Sequence, residues 1–243
     1  MNVVNLIPMA GEGKRFKDEG YSTPKPLIEV NGKPMVVRAL QSLPIASKNI
    51  LIVRKDHLDV ELLKKTLIQY FENIVIIEID YLTKGQAATC LLAENEVPQN
   101  SILNIGACDL GFKYNLENYQ IALKEFDSFI WTYKNNKNVL THPEMYGWVK
   151  RLNNTNLIEY VSCKKPISTN LLKDDVVSGT FTFNNSDNFF EGIRKMIDKN
   201  DRVNNEFYLD NIFNHLDGKL GILQLVEYYS WGTPNELINY LKK

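Results

Sequence analysis

The chain has 243 residues, enough for one large domain or a domain with a small appendage and ample for a buried core. Hydrophobic residues make up 44% and charged residues 23%, ordinary values for a globular protein, and no apolar run approaches the roughly 18 residues a membrane helix needs. The formal net charge is −1, without the basic excess of a duplex-binding protein, so neither a nucleic acid nor a membrane is an expected partner.

Strands alternate with helical patterns over the first half. Residues 3–8 form a short apolar run with the character of a buried strand. A long polar loop holding glycines follows over 10–26. A short strand at 27–30 and an Asn31-Gly32 turn come next. Pro34 then opens a helix to about Leu43, where the missing proline N–H is harmless. A strand at 49–53 precedes a helix over 59–71, with apolar residues at helical spacing at Leu62, Leu63, Leu67, Tyr70 and Phe71. Residues 74–79 are a β-branched strand. Then come a helix over 85–93, a strand over 101–105, a helix over 116–124 and a strand over 129–133. The alternation implies a mostly parallel, Rossmann-like sheet flanked by helices.

The second half changes character. Strands at 146–152, 157–161 and 176–183 with short polar links predict antiparallel additions. Helices over 187–197 and 206–216, a β segment at 220–225 and a closing helix from Pro234 complete the chain. One domain is expected over 1–243, with a first half over 1–133 and a second over 134–243.

The three cysteines, Cys90, Cys108 and Cys163, are odd in number and widely spaced, which supports neither a disulfide scaffold nor a structural zinc site. The opening residues carry no signal-peptide pattern, and a cytoplasmic protein is expected. His57, His142 and His215 have no patterned partner, and nothing supports a nucleophilic triad.

The most informative segment runs Ile7-Pro8-Met9-Ala10-Gly11-Glu12-Gly13-Lys14-Arg15-Phe16, with Pro24-Lys25-Pro26 nearby. A loop leaving the carboxyl end of a parallel strand sits where ligands bind in open α/β sheets. Gly11 and Gly13 leave backbone N–H groups free to close around a phosphate. Lys14 and Arg15 add cationic donors. A P-loop is excluded because Arg15 follows Gly13-Lys14 and Pro8 stands where its first glycine belongs. A dinucleotide fingerprint is excluded because Phe16 is too large for its third glycine position. An ordinary basic surface loop remains an equal explanation of this segment alone.

The loop and Pro24-Lys25-Pro26 together resemble the signature of the sugar-phosphate nucleotidylyltransferases. Further segments match in order: Thr83-Lys84-Gly85-Gln86-Ala87, Cys108-Asp109-Leu110, Tyr146-Gly147-Trp148-Val149-Lys150, Lys164-Lys165-Pro166, Ser178-Gly179-Thr180-Phe181 and Trp231-Gly232-Thr233-Pro234. The match spans nearly the whole chain and looks closest to small capsule-related cytidylyltransferases. The resemblance implies a nucleotide-diphospho-sugar transferase fold and Mg2+ as cofactor. It also implies a nucleoside triphosphate, CTP favoured, and a small phosphorylated acceptor as partners.

Residue by residue, it implies a triphosphate held by Ala10, Gly11, Glu12, Gly13, Lys14 and Arg15. Lys25 would act on the α-phosphoryl group, Gln86 would read a pyrimidine edge and Asp109 would bind the metal. Lys165, Lys150 and Gly179 would meet the acceptor. The family's second metal aspartate falls at Ser230. Either one protein ligand suffices, or Asp210 or Glu206 takes over. A non-catalytic nucleotide sensor and a nucleotide-sugar glycosyltransferase stay open, although Asp109-Leu110-Gly111 lacks the second aspartate a glycosyltransferase carries.

Overall fold

A computed structural model describes residues 2–11, 13–56, 59–153 and 155–242. The chain opens with β1 (Val3–Met9), a short helix α1 (Lys14–Asp18) inside the long loop, and a hairpin of β2 (Glu29–Val30) and β3 (Lys33–Pro34). Asn31 and Gly32 turn the hairpin at φ 47° and 76°, the two positive values a type I′ turn requires. Then come α2 (Met35–Ser42), β4 (Lys48–Arg54), α3 (Val60–Leu67), β5 (Ile74–Ile79), α4 (Gln86–Leu91) and β6 (Ile102–Ile105). The middle of the chain gives β7 (Leu110–Lys113), α5 (Leu116–Glu125), β8 (Ser128–Tyr133), β9 (Gly147–Arg151) and β10 (Ile158–Cys163). It closes with β11 (Asp175–Phe183), α6 (Ser186–Asp198), β12 (Leu220–Gln224), β13 (Glu227–Ser230) and α7 (Pro234–Leu241).

One nine-stranded sheet draws on both halves of the chain. Its main path is β10-β9-β11-β6-β1-β4-β5, with β8 beside β11 and β12 beside β8. Strand β1 runs parallel to β4 and β6, β4 to β5, and β8 to β12. Antiparallel pairing enters with β11, which lies against β6, β8 and β9, and with β10 on β9. The sheet is therefore mostly parallel with antiparallel additions in the second half, as the strand pattern implies. From β1 the neighbours lead one way through β4 and the other way to β6, so the carboxyl end of β1 is a topological switch point.

Both faces of β1 are buried because helices cover each side. Val4 and Leu6 pack with Ile50 and Ile52, under Ala87 and Cys90 of α4 and Phe189 and Ile193 of α6. Ile7 and Met9 pack with Leu51 and Val53, under Leu40 of α2, Leu63 and Leu67 of α3 and Ala122 of α5. Polar side chains inside this apolar sheet satisfy one another. Asn5 Nδ2 donates to Asn49 Oδ1, Asn104 Nδ2 to Asn5 Oδ1, Thr182 Oγ1 to Asn104 Oδ1 and Trp131 Nε1 to Thr182 Oγ1, all at 2.8–3.1 Å. This ladder crosses five strands and fixes their register, since a slip would leave buried amides unpaired. Among the described residues no helix is long and apolar enough to cross a membrane.

Three expectations need correction. The segment 206–216 is not an α-helix but a 3-10 turn over Asp210–His215. Its first residues are claimed elsewhere: Phe207 N donates to Lys84 O and Phe207 O accepts from Ala87 N. The helix expected over 59–71 stops at Leu67, and the loop over 10–26 contains α1. The sequence pattern also misses the β7–β13 ribbon, in which Gly111 pairs with Tyr229. Glycine weakens the strand signal, yet it is required there, because a methyl group on Gly111 would lie 2.6 Å from the Trp231 ring.

Candidate active site

Three segments meet at the carboxyl ends of β1 and β6. Pro24 and Pro26 restrict the backbone around Lys25, which starts a single 3-10 turn. Its Nζ donates to Asp109 Oδ2 at 2.6 Å and to Gly232 O at 3.3 Å. The ammonium also lies 5.4 Å from the Phe16 ring centre. Phe16 is buried on α1 among Trp231, Ile28 and Met35, so the loop after β1 is anchored to the segment before α7. Cys108-Asp109 follows β6, and Trp231 N donates to Asp109 O at 2.8 Å.

The electrostatics keep this pair ionised. Burial pulls the Lys25 pKa down, but the Asp109 carboxylate outweighs it and holds the ammonium above its ordinary value. Burial pushes Asp109 up, and the Lys25 ammonium outweighs that in turn, leaving the carboxyl below the usual range. The Cys108 thiol, raised to about 12 by burial and then by Asp109, stays protonated at neutral pH and is no nucleophile.

Lys25 and Asp109 line a cavity of about 570 Å³. Ala10, Gly11, Gly13, Lys14 and Arg15 form another wall. Space is open where a Gly11 side chain would be, and Gly13 adopts φ 61°. Arg15 is exposed, free to turn toward an anion. Glu12 lies outside the described residues, as does His57. Gln86 starts α4 and faces the same cavity with Thr83 and Gly85. Gly85 sits at φ 116°, and a methyl group there would meet Phe207 N and O at 2.6 Å. Only glycine allows the 206–207 backbone to clamp this corner, and that clamp carries Glu206 to the cavity wall.

Asp210 goes elsewhere. It is buried against Gly147, its side chain bonds with the Cys163 thiol, and burial raises its pKa. It is not part of the cavity wall that holds Asp109 and Glu206. Lys165 and Lys150 are exposed and lie outside that cavity. Lys164, at φ 62°, is half-buried, and its Nζ donates to Met145 O at 2.6 Å and lies 5.1 Å from the Tyr208 ring centre. Gly179 adopts φ 89° in the irregular stretch of β11, close to Leu110. Trp148 and Trp231 are both core residues. His142 pairs with Glu144 on the surface, and His215 with Asp201.

One cluster was missed in the sequence. A methyl group placed on Gly232 would lie 3.4 Å from Asp109 Oδ2, 3.4 Å from Glu236 Oε2 and 3.6 Å from Ser230 Oγ. Thr233-Pro234-Asn235-Glu236 has the spacing of a capping box, which places Glu236 in the first turn after Gly232 and was the available signal. Asp109 stands on the wall of the cavity, whereas Ser230 and Glu236 line a neighbouring one; a single carboxylate suits magnesium, which takes one or two carboxylates and completes its shell with phosphate and water. Among the described residues no group of three or more His, Cys, Asp or Glu side chains forms a metal cluster, so nucleotide oxygens would have to supply the rest.

No protein-family model matches the chain. It is similar to the bifunctional protein GlmU of Methanocaldococcus jannaschii, at 24% identity over 198 residues. That match takes in 78% of this chain, which spans only 41% of the relative's length. Among solved structures it resembles the nucleoside-diphosphate-sugar pyrophosphorylase of Vibrio cholerae RC9, with TM-score 0.81 and 20% identity, covering 98% of this chain and 100% of that one. It also resembles the inositol-1-phosphate CTP transferase of T. maritima, with TM-score 0.71 and 16% identity over 100% and 97% of the two chains. The sheet order, the switch-point cavity and these likenesses establish that the chain has the nucleotide-diphospho-sugar transferase fold.

Proposed function

We propose that the chain is a nucleotidylyltransferase, which moves a nucleoside monophosphate from an NTP to a small phosphorylated acceptor and releases pyrophosphate. The observation that carries this reading is the Lys25–Asp109 ion pair at the rim of a glycine-walled cavity at the switch point of the sheet. The names of the relatives, pyrophosphorylase and CTP transferase, describe reactions of this type.

In the proposed reaction an acceptor phosphate oxygen attacks the α-phosphorus in line. The bond to the β-phosphate oxygen breaks, and the electron pair leaves with pyrophosphate. The nucleophile is already an anion, so no general base is required, and positioning and charge supply the catalysis. Arg15 and Lys14 hold the β- and γ-phosphates, while Ala10, Gly11, Glu12 and Gly13 close around them. Lys25 neutralises charge that grows on the α-phosphoryl group. Gln86 reads the base edge. Lys165, Lys150 and Gly179 would meet the acceptor beyond the cavity that holds Lys25. Mg2+, held by Asp109, would supply charge neutralisation across the phosphates when bound. Residues 1–133 supply the nucleotide half and 134–243 the acceptor half, with Glu206 and Gly232 crossing over.

CTP is the favoured nucleotide, and phosphorylated L-glutamine the favoured acceptor. With that acceptor the chain would be a cytidylyltransferase for capsular phosphoramidate, working in the cytoplasm where NTPs are available. A hexose 1-phosphate or phosphocholine is the alternative acceptor. Phosphorus NMR of the chain with Mg2+, CTP and each acceptor tests the reading. The expected result is conversion of the CTP α-signal into that of a diphosphate ester, with pyrophosphate appearing in step. Loss of the γ-phosphate as orthophosphate, without an ester, would replace transfer by hydrolysis.

A further inference from the structure

A second cavity, of about 510 Å³, adjoins the first at Gly232. Gly232 lines the first cavity. The point where its side chain would sit is 3.4 Å from Asp109 Oδ2 and 3.4 Å from Glu236 Oε2, which belongs to the second. A side chain at this position would stand between the two carboxylates.

Most charges of the second cavity are already neutralised. Lys134 pairs with Asp175 at 3.1 Å, and Glu227 with Lys113 at 3.0 Å. Lys137 is exposed. Glu236 is half-buried and makes no ion pair among the described residues. Its N–H donates to Thr233 Oγ1 at 3.2 Å, and its Oε2 accepts from that hydroxyl at 3.1 Å. This capping box occupies one of the several lone pairs of the carboxylate and brings no counter-charge.

Tyr133 and Tyr228 line the same cavity, stacked with ring centres 4.0 Å apart. The stack uses one face of each ring, and Tyr133 is only 5% exposed, so the pair offers a ligand oxygen atoms rather than open aromatic faces. The buried Tyr133 hydroxyl has no hydrogen-bond partner among the described residues, a costly state that a bound donor would relieve. Burial, and then neighbouring groups that include Glu236 in each case, raises the pKa of Tyr133, Tyr146 and Tyr228, so all three hydroxyls stay neutral at pH 7. A carboxylate and hydroxyl oxygens around one space accept hydrogen bonds. A primary ammonium donates three and supplies the missing positive charge. A trimethylammonium donates none and is held by open ring faces, and a sugar hydroxyl carries no charge.

We propose that the second cavity binds the ammonium end of a primary-amine acceptor, with Glu236 as its counter-ion and the Tyr133 hydroxyl as a hydrogen-bond partner. The assignment rests on the nucleotidylyltransferase reading and deepens it: the acceptor phosphate would lie on the Lys25 side of Gly232 and the amine on the Glu236 side. It favours a phosphorylated amino acid or amino alcohol over phosphocholine and hexose 1-phosphates.

The test is ligand-observed NMR on the full chain with Mg2+ and α,β-methylene-CTP, an analogue that cannot release pyrophosphate. The probes are alkyl phosphates of two and four carbons, each ending in an amine, a trimethylammonium or a hydroxyl. The expected result is that an amine-ended probe binds about tenfold tighter than its hydroxyl and trimethylammonium counterparts. Glu236→Gln keeps a side chain suited to the capping box and removes the charge. It is expected to abolish the preference while binding of the hydroxyl-ended probe and thermal stability stay unchanged. Tyr133→Phe keeps the ring stack and is expected to weaken the amine-ended probe alone, by a smaller factor. No binding, no preference among the ends, or a preference for trimethylammonium overturns the assignment. Equal weakening of every probe in Glu236→Gln also overturns it and leaves Glu236 a cap. The two readings fail separately. An amine preference without pyrophosphate release from CTP keeps the site and removes transfer. Release from CTP without an amine preference keeps transfer and removes the site.

Discussion

Between Pro24 and Pro26, Lys25 has little freedom to leave Asp109. That restraint makes it a poor surface lysine and a good preorganised charge. Replacing it with methionine keeps the stem that packs near Phe16 and removes the ammonium. The expected effect is a fall in kcat of about 10²–10³-fold with a much smaller change in NTP affinity, measured by steady-state kinetics and calorimetry. A modest fall in NTP affinity as the sole effect, with no turnover to lose, would instead describe a nucleotide sensor. The Asp109 position was legible because it comes shortly after a buried strand, and the Lys25 position because two prolines flank it in the long loop after β1. The approach of Glu236 to Gly232 was not, since its spacing reads first as a cap. Lys164 and Lys165 illustrate the same limit. Adjacent lysines look equivalent in sequence, yet the Lys164 ammonium lies 5.1 Å from the Tyr208 ring centre while Lys165 is exposed.

At the scale of elements, backbone hydrogen bonds decide what periodicity leaves open. Residues 206–216 carry a helical apolar pattern, yet Phe207 gives its N–H and C=O to the Lys84–Ala87 turn and the helix cannot form there. Strands β8, β9 and β11 are joined by another device with no local signature. Asp175 is buried and receives Arg151 Nε and Nη2 at 2.6 and 2.7 Å, Thr132 Oγ1 at 3.0 Å and Lys134 Nζ at 3.1 Å. Burial raises the Asp175 pKa, but Arg151 and Lys134 outweigh it, so the folded value lies below the ordinary 3.8. Its contribution to stability is therefore complete above that pH and is lost as pH falls through the lower folded value. Asp175→Asn strands two cations at this junction and is expected to cost about 3 kcal/mol or more at pH 7. Denaturant unfolding of both proteins, repeated toward pH 3, is expected to show the difference narrowing as pH falls. A constant difference across that range would remove the ionic component.

For the whole molecule, the parallel half was readable because each central strand is buried on both faces and each crossover helix shows one apolar stripe. The second half was readable only as strands. Pairings such as β12 with β8, and β13 with β7, join segments distant in the chain and leave no mark on local pattern. Glu206 and Gly232 stand out in the sequence, but only the fold brings them from the far half to the cavity wall. The central claim is nucleotidyl transfer at that wall. Its most direct test is pyrophosphate release with Mg2+ and each of CTP, UTP, dTTP, ATP and GTP, against phosphorylated glutamine, phosphocholine and hexose 1-phosphates. The account predicts release that requires both partners and is strongest for one pair, CTP with one acceptor. No release from any pair, alongside clear NTP binding, would contradict it and leave a nucleotide-binding protein without transfer.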